Sequence, residues 1–408
     1  PQTETYDANG YPATATDFNG YATHYTFDAR GLEDQRVEAV GQPEQRTLAT
    51  TWNSTFHIPQ TSTVADALGV LKTKTAWVYN TRGQPLARCE IDPAQASGYT
   101  CAATGTPPAG VRRWTYSYCD AVDGTQCPLV GLLLSVDGPR IDVTDLTQYS
   151  YYLTADTSGC GTAGGACHQA GDLYQVTDAL GHTATVVAYD SNGRVVRQRD
   201  ANGVLTDFTY HPRGWLLSRT VRANASGTPS AQDAVTQVTY DGVGDVTQIV
   251  DPDGVTVSYT YDAAHRLTDV TDALGNHVHY TLDAMGNKTK AETLDAGSTV
   301  RRTVSLGYNA LNELLTVTDA LSQTVLSYNY TDGYDANGNP VHSVDGLGFQ
   351  RLQSYDGLNR LVGITDNYNG TDTATKNALS VFARDALDRT TTIGDPDGLD
   401  TTYTFDGL

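Results

Sequence analysis

Methionine is nearly absent from this 408-residue sequence, with one copy at Met285, and phenylalanine is scarce at 7. Charged residues make up only 18%, and positive charge is the rarer kind: 26 Lys and Arg stand against 47 Asp and Glu, for a net charge of −21. Such a deficit excludes nucleic acid as a partner, because phosphate binding needs a basic patch to displace counterions. No apolar run approaches the roughly 18–20 residues that a helix needs to span a bilayer. The run PLVGLLLSV (Pro128 to Val136) is too short and reads as a buried strand. Catalytic signatures are missing too: there is no Gly-x-Ser-x-Gly, no phosphate loop and no His-Glu-x-x-His. The sequence opens on Pro1, so it is expected to be a window cut from a longer protein, and the lack of an export signal says nothing about export.

What the chain does have points one way. Tyrosine is plentiful (25), glycine more so (39), and threonine is frequent. Tyr, Thr and Val suit pleated, half-buried surfaces, while Gly, Asp and Asn supply turns. The composition therefore implies a β-rich chain of many short strands.

The strands repeat. Aromatic-Asp pairs recur 21 residues apart: Tyr6-Asp7 and Phe27-Asp28; Tyr189-Asp190 and Tyr210-His211; Tyr240-Asp241, Tyr261-Asp262 and Leu282-Asp283; Tyr334-Asp335 and Tyr355-Asp356; Arg384-Asp385 and Phe405-Asp406. Each unit reads as a turn, a strand, a second turn and a second strand. The turns are Asp-x-x-Gly, as at Asp7–Gly10, Asp190–Gly193, Asp200–Gly203, Asp251–Gly254, Asp272–Gly275 and Asp335–Gly338. Two strands of about six residues and two four-residue turns account for the period. At each corner the Asp carboxylate can accept backbone amides two residues on, and Gly can take the positive φ that other residues avoid. At Asp262 the Gly place is taken by His265, which marks a degenerate corner. Alternation sends Val255, Val257, Tyr259 and Tyr261 to one face, so a tyrosine stripe recurs at one register, its hydroxyls near water or a polar partner. One hairpin is not stable alone, so the units must pair edge to edge into a long, twisting antiparallel sheet that curls into a spiral.

The aromatic-Asp-x-x-Gly grammar resembles the YD repeat of the Rhs family, found also in Tc toxin shell components and teneurins. The resemblance extends over nearly the whole chain, with the best matches at 1–35, 172–290 and 305–408. It implies hairpins coiled into a hollow β-shell or cocoon and, as in bacterial members, a shell enclosing a C-terminal toxin domain. Rhs shells end in a plug with an aspartyl self-cleavage site around DPxG. This chain has DPDG at Asp251–Gly254 and Asp395–Gly398, but both sit inside ordinary units without the arginine-rich, aromatic flank of that region, and both are read as turns.

The architecture is expected to be continuous, with YD repeats over 1–44, irregular repeats with elongated tips over 45–171 and regular repeats over 172–408. All six cysteines fall in the irregular part. Fifteen connectivities are open to them, and free thiols or a metal remain alternatives. Sequential pairing, Cys89–Cys101, Cys119–Cys127 and Cys160–Cys167, is preferred because each pair brackets a Gly/Pro/Ser-rich excursion between strand-like runs. Disulfides imply an oxidising compartment: periplasm, cell surface or medium. The tips within 85–170 are where a cell-surface partner would bind.

Candidate chemistry weighs less than the bland readings. The Asp-x-Asp-Gly stretches lack the ligand pattern of a calcium loop and are read as turns. His277 and His279 share a strand face but have no indicated third ligand, and His168 beside Cys167 lies within a proposed disulfide. No pair of carboxylates is singled out for glycoside hydrolysis. Sequons at Asn53, Asn224, Asn287, Asn329 and Asn369 are near the number chance supplies. The expected protein is all-β and non-catalytic, with no cofactor and no metal. It forms part of an exported bacterial YD-repeat shell around a polypeptide toxin. The alternative is an extracellular surface or filament protein whose neighbours are copies of itself.

Overall fold

The structure, a computed structural model, describes residues 2–160, 167–328, 331–368 and 378–407. Sequons Asn329 and Asn369 lie outside the described residues. Among those described there are 31 β-strands and one four-residue helix, Pro93–Ala96, capped by the Asp92 carboxylate on the Ala94 amide. The pairing is antiparallel and runs between sequence neighbours: Val246–Val250 pairs with Thr256–Tyr261, that with Leu267–Thr271, and that with His277–Leu282. The chain is thus an all-β succession of tandem hairpins with the 21-residue unit as its module. No helix of the described residues is long and apolar enough to cross a membrane.

Alternation stops one residue short of the aromatic corner. The register shifts at Thr5/Tyr6, Thr26/Phe27, Thr209/Tyr210, Thr239/Tyr240 and Thr260/Tyr261. A bulge re-aims the side chain that follows it. The repeat aromatic is therefore not simply the next member of the Val255–Val257–Tyr259 stripe.

Few side chains are fully buried, as a single sheet layer allows. The exception is a small core where Ala76, Cys89, Ile91, Ala96 and Val111 pack together with Tyr99 and Cys101. The chain divides into two compact units: Pro1–Trp114 together with Val304–Leu408, and Thr115–Thr303. The first unit thus joins segments far apart in sequence.

Candidate functional site

The corners are built alike. At Asp7 the backbone amide donates to the Tyr11 carbonyl (2.8 Å) and the Gly10 amide donates back to the Asp7 carbonyl (3.1 Å). The Asp7 Oδ1 accepts the amides of Asn9 and Tyr11 at 2.8 and 2.9 Å. Gly10 has φ +85°, which makes the loop a type I turn closed by a left-handed residue. The same carboxylate pattern recurs at Asp190, Asp200, Asp251 and Asp272, and at Asp335 with Asn337 and Asn339. Acceptor oxygens in this array are occupied by backbone donors, including the DPDG corners at Asp251 and Asp395. His265 takes the left-handed place at φ 62°, and so do Ser298, Asn312, Ser322, Asn359 and Asp388. Searching for Asp-x-x-Gly alone misses those five corners.

The aromatics latch one unit to the one before. The Tyr261 hydroxyl donates to the Val246 carbonyl (2.9 Å), Tyr210 to Val195 (3.0 Å), Tyr240 to Leu216 (3.0 Å), Tyr334 to Leu314 (2.7 Å) and Tyr355 to Pro340 (3.2 Å). Tyr79, Tyr151 and Tyr189 do the same toward Pro59, Leu133 and Leu173. Each acceptor sits at or just before the start of an earlier strand, so the hydroxyl fixes the spacing of successive hairpins. This is why the position prefers Tyr to Phe: a ring alone packs but cannot satisfy that carbonyl. Burial pushes the Tyr189 phenol up to about 12, with Asp172 adding to it. The exposed Tyr6 hydroxyl instead meets Glu4 (2.6 Å), while Phe27 stacks on Tyr11 with ring centroids 5.0 Å apart. Phe405 lies beyond the last described strand, under the Arg389 guanidinium at 4.6 Å.

A second device, unread in the sequence, ties corner to corner. Arg194, Arg266, Arg360 and Arg389 each stand four residues after a corner Asp and hold its Oδ2 through Nε, at 2.6 to 2.7 Å. The Nη1 of each then donates to the carbonyl of the next aromatic-side corner: His211, Asp283, Asp385 and Asp406. The guanidinium fork makes both contacts at once, which lysine cannot. The Arg266 side chain, with the Arg266 and Ala264 amides, holds the Asp262 carboxyl below the usual carboxylate range. The spacing Asp-x-x-x-Arg was a legible signal.

Because the strands are antiparallel, corners alternate between two rims. Aromatic-Asp and aromatic-Asn corners fall on one (here the aromatic rim), and the intervening corners fall on the opposite rim. Within the first unit, the opposite rim of the early segment meets the aromatic rim of the later one. Asn19 Nδ2 donates to Asp335 Oδ2 (2.9 Å), and Asn337 Nδ2 donates to Asp17 Oδ2 (2.8 Å). The Asn19 amide also donates to Asn337 Oδ1, and the Ala336 amide to Asn19 Oδ1, both at 3.2 Å. Further along, the Gly357 amide meets the Glu44 carboxylate, Arg46 bonds Asp388 and the Ala386 carbonyl, and Arg112 pairs with Asp406. A Cβ on Gly357 would stand 3.0 Å from the Tyr21 ring, so this corner is seated tightly.

The cysteines form Cys89–Cys101, Cys119–Cys127 and Cys160–Cys167, and none among the described residues is free. His168 stacks on Tyr152 with centroids 3.6 Å apart. His279 Nδ1 bonds Asp269 Oδ1 at 2.7 Å, whereas His277 Nδ1 reaches only the Gly275 carbonyl at 3.4 Å, so the two are not brought onto a common ligand. One group among the described residues has metal-ligand spacing: Asp241, Asp245 and His265 present atoms within 4.8 Å of one another. Their atoms already serve the fold, since Asp241 Oδ1 caps the Val243, Gly244 and Asp245 amides and His265 Nδ1 bonds Asp245 Oδ2.

A family model described as the RHS repeat matches residues 189–228, 240–277, 265–299 and 334–371. Those stretches of the chain are RHS repeats. Among solved structures, the Photorhabdus luminescens Tc holotoxin pore is similar at 14% identity and a TM-score of 0.49, over 95% of this chain and 22% of that one. A TcdB2-TccC3 crystal structure is similar at 14% identity and a TM-score of 0.34, over 98% of this chain and 24% of that one. This Rhs-repeat chain therefore spans less than a quarter of the length of either structure's chain. No curated protein matches it. The RHS matches fall on the stretches where the tyrosine latches and arginine links run: Tyr210, Tyr261 and Tyr355 with Arg194, Arg266 and Arg360.

Proposed function

We propose that this chain is a non-catalytic wall segment of an exported Rhs-type shell, which encloses or delivers a polypeptide toxin lying outside residues 1–408. The observation that carries the reading is the rim-on-rim contact of the first unit, where residues 316 to 342 apart in sequence are joined by side-chain bonds. A spiral whose turns bond to one another is a wall, and a wall needs no active site. The latches and arginine links support the same reading, since their donors and acceptors serve the fold. Export is supported by the three disulfides, which persist in oxidising compartments. The partner of such a wall is its cargo or a neighbouring copy. The loops within 85–170 are the place for a cell-surface partner.

The test is protease protection. The chain is produced together with the polypeptide encoded beside it, and digestion of that polypeptide is followed over time. Digestion many times slower than for the polypeptide alone supports enclosure; equal rates sink it. Mass mapping of the secreted protein with and without reductant checks export, with six free thiols as the contrary outcome.

A further inference from the structure

Five described corners close on an Asn-Gly pair: Asn9-Gly10, Asn19-Gly20, Asn192-Gly193, Asn202-Gly203 and Asn337-Gly338. Such a pair is open to loss of the side-chain amide, because glycine has no Cβ to keep its nitrogen from the neighbouring carboxamide carbon. The five share one backbone: each glycine has positive φ, and its amide donates to the corner Asp carbonyl at 3.0 to 3.1 Å. Their side chains differ. Among the contacts described, Asn9, Asn192 and Asn202 reach the corner carboxylate through their backbone amides, and nothing holds their carboxamides. The carboxamides of Asn19 and Asn337 instead carry the seam where the two rims of the first unit meet. Asn337 Nδ2 donates to Asp17 Oδ2 and to Asn359 Oδ1, both at 2.8 Å, and Asn19 Nδ2 donates to Asp335 Oδ2 at 2.9 Å. Asn19 Oδ1 accepts the Ala336 amide, and Asn337 Oδ1 accepts the Asn19 amide. The residues that hold the seam are therefore ones whose own chemistry can undo it.

We propose that Asn337 and Asn19 are deamidation sites that make the seam a one-way lock. While the seam is closed, its bonds keep each carboxamide from turning onto the nitrogen of the glycine that follows. Once it opens, the Gly338 nitrogen gives up its proton and bonds Asn337 Cγ. The Cγ–Nδ2 bond breaks, and ammonia leaves behind a succinimide. Water then adds at Cγ to give aspartate, or at the backbone carbonyl carbon to give isoaspartate. No electrons are exchanged, and water is the sole co-reactant. Either product carries a carboxylate where Asp17 had a donor, so like charges face each other at hydrogen-bond distance. Isoaspartate also adds a methylene to the backbone and breaks the turn that Gly338 closes on Asp335. Asn19 reacts with Gly20 in the same way and sets its carboxylate against Asp335. A seam that has opened and reacted does not close again on its original bonds.

The experiment incubates the whole chain at mildly alkaline pH and follows each Asn-Gly site by peptide mass mapping. Asn192 and Asn202 should convert about tenfold faster than Asn337, which must first leave its partners across the seam. Asn19→Ala removes half of the reciprocal bonds and should bring Asn337 to within about threefold of the Asn192 rate. Asn337→Asp stands in for the product and should lower the melting temperature by about 2 °C or more. Asp17→Asn in the same chain returns a carboxamide opposite the carboxylate and should recover more than half of that loss. Equal rates at Asn192 and Asn337 in the unaltered chain overturn the proposal. So does an Asn337→Asp chain that melts like the original, or a double variant no better than the single one. Where Asn337→Asp does not fold, recovery of folding by Asp17→Asn reads the same contact. None of these outcomes bears on protease protection of a cargo, which reads enclosure and not the carboxamides.

Discussion

Arg266 Nη1 donates to the backbone carbonyl of Asp283 at 2.7 Å, one corner along the aromatic rim, while its Nε holds Asp262 at 2.7 Å. One side chain thereby sets the distance between two repeat corners. The repeated arrangement at Arg194, Arg360 and Arg389 makes the rim a chain of linked turns.

Arg266→Ala is expected to cost about 1 kcal/mol, since a charge-assisted bond is worth more than that but this one is partly exposed to solvent. Arg266→Lys should recover less than half, because an ammonium cannot serve Asp262 and the Asp283 carbonyl together. Urea unfolding gives the energies. Amide exchange at Asp283–Asn287 should quicken in both variants.

The tyrosine latch predicts an alkaline limit. The Tyr189 phenol, raised by burial to about 12, keeps its proton in the fold where an unfolded tyrosine loses it near 10. Its stabilisation is therefore whole below about pH 10 and is lost as pH rises through about 12. Melting temperature followed from pH 9 upward should fall in that window. Tyr189→Phe should make the fall shallower while lowering the neutral value, because the Leu173 carbonyl loses its donor.

At the acid end the sign reverses. The Asn276 and Asn287 side chains, with backbone amides, hold the Asp272 and Asp283 carboxyls below the usual range. Their contribution is present above the unfolded carboxyl value near 4 and is lost as pH falls through the lower folded values. Asp283→Asn should lower the melting temperature at pH 6 and flatten its decline below pH 4. A steeper decline in the variant would contradict the corner model.

The reciprocal bonds between Asn19 and the Asp335 corner should be measurable as a coupling. Asn19→Ala and Asp335→Ala, singly and together, remove the two side chains joined by the Asn19 Nδ2–Asp335 Oδ2 bond at 2.9 Å and form a double-mutant cycle whose interaction energy is expected at about 1 kcal/mol. Additive losses would show that the two rims meet without bonding.

Backbone conformation is tested at two corners in opposite directions. Ser322 sits at φ 60°, where an L-residue is strained, so Ser322→Gly should stabilise by about 0.5–1 kcal/mol. Gly203, at φ +84° where an added Cβ would meet nothing within 4 Å, should lose about 1 kcal/mol as Gly203→Ala through the backbone alone. Thermal or urea unfolding of the two variants reads both.

The sequence by itself determined the module. A 21-residue interval, Asp at each corner and alternation between corners leave antiparallel hairpins as the outcome, because turn chemistry and strand period are local properties. The resemblance to the RHS repeat followed from the same residues. Part of the missed detail was local too: Arg266 four residues after Asp262 is a pattern a reader could have found. The corners closed by Ser298, Asn312, Ser322, Asn359 and Asp388 were hidden by looking for Gly, although small polar residues also tolerate positive φ.

Other features were decided only in three dimensions. The register shift before Tyr261, and the reach of its hydroxyl to Val246, depend on how two hairpins twist against each other. No spacing rule brings Asn19 to Asn337, or Arg46 to Asp388, across more than 300 residues. That meeting is a long-range property of the folded first unit. A repeat specifies each turn and strand locally, but which rim of the first unit lands on which is decided by contacts between distant segments, and no local rule contains them.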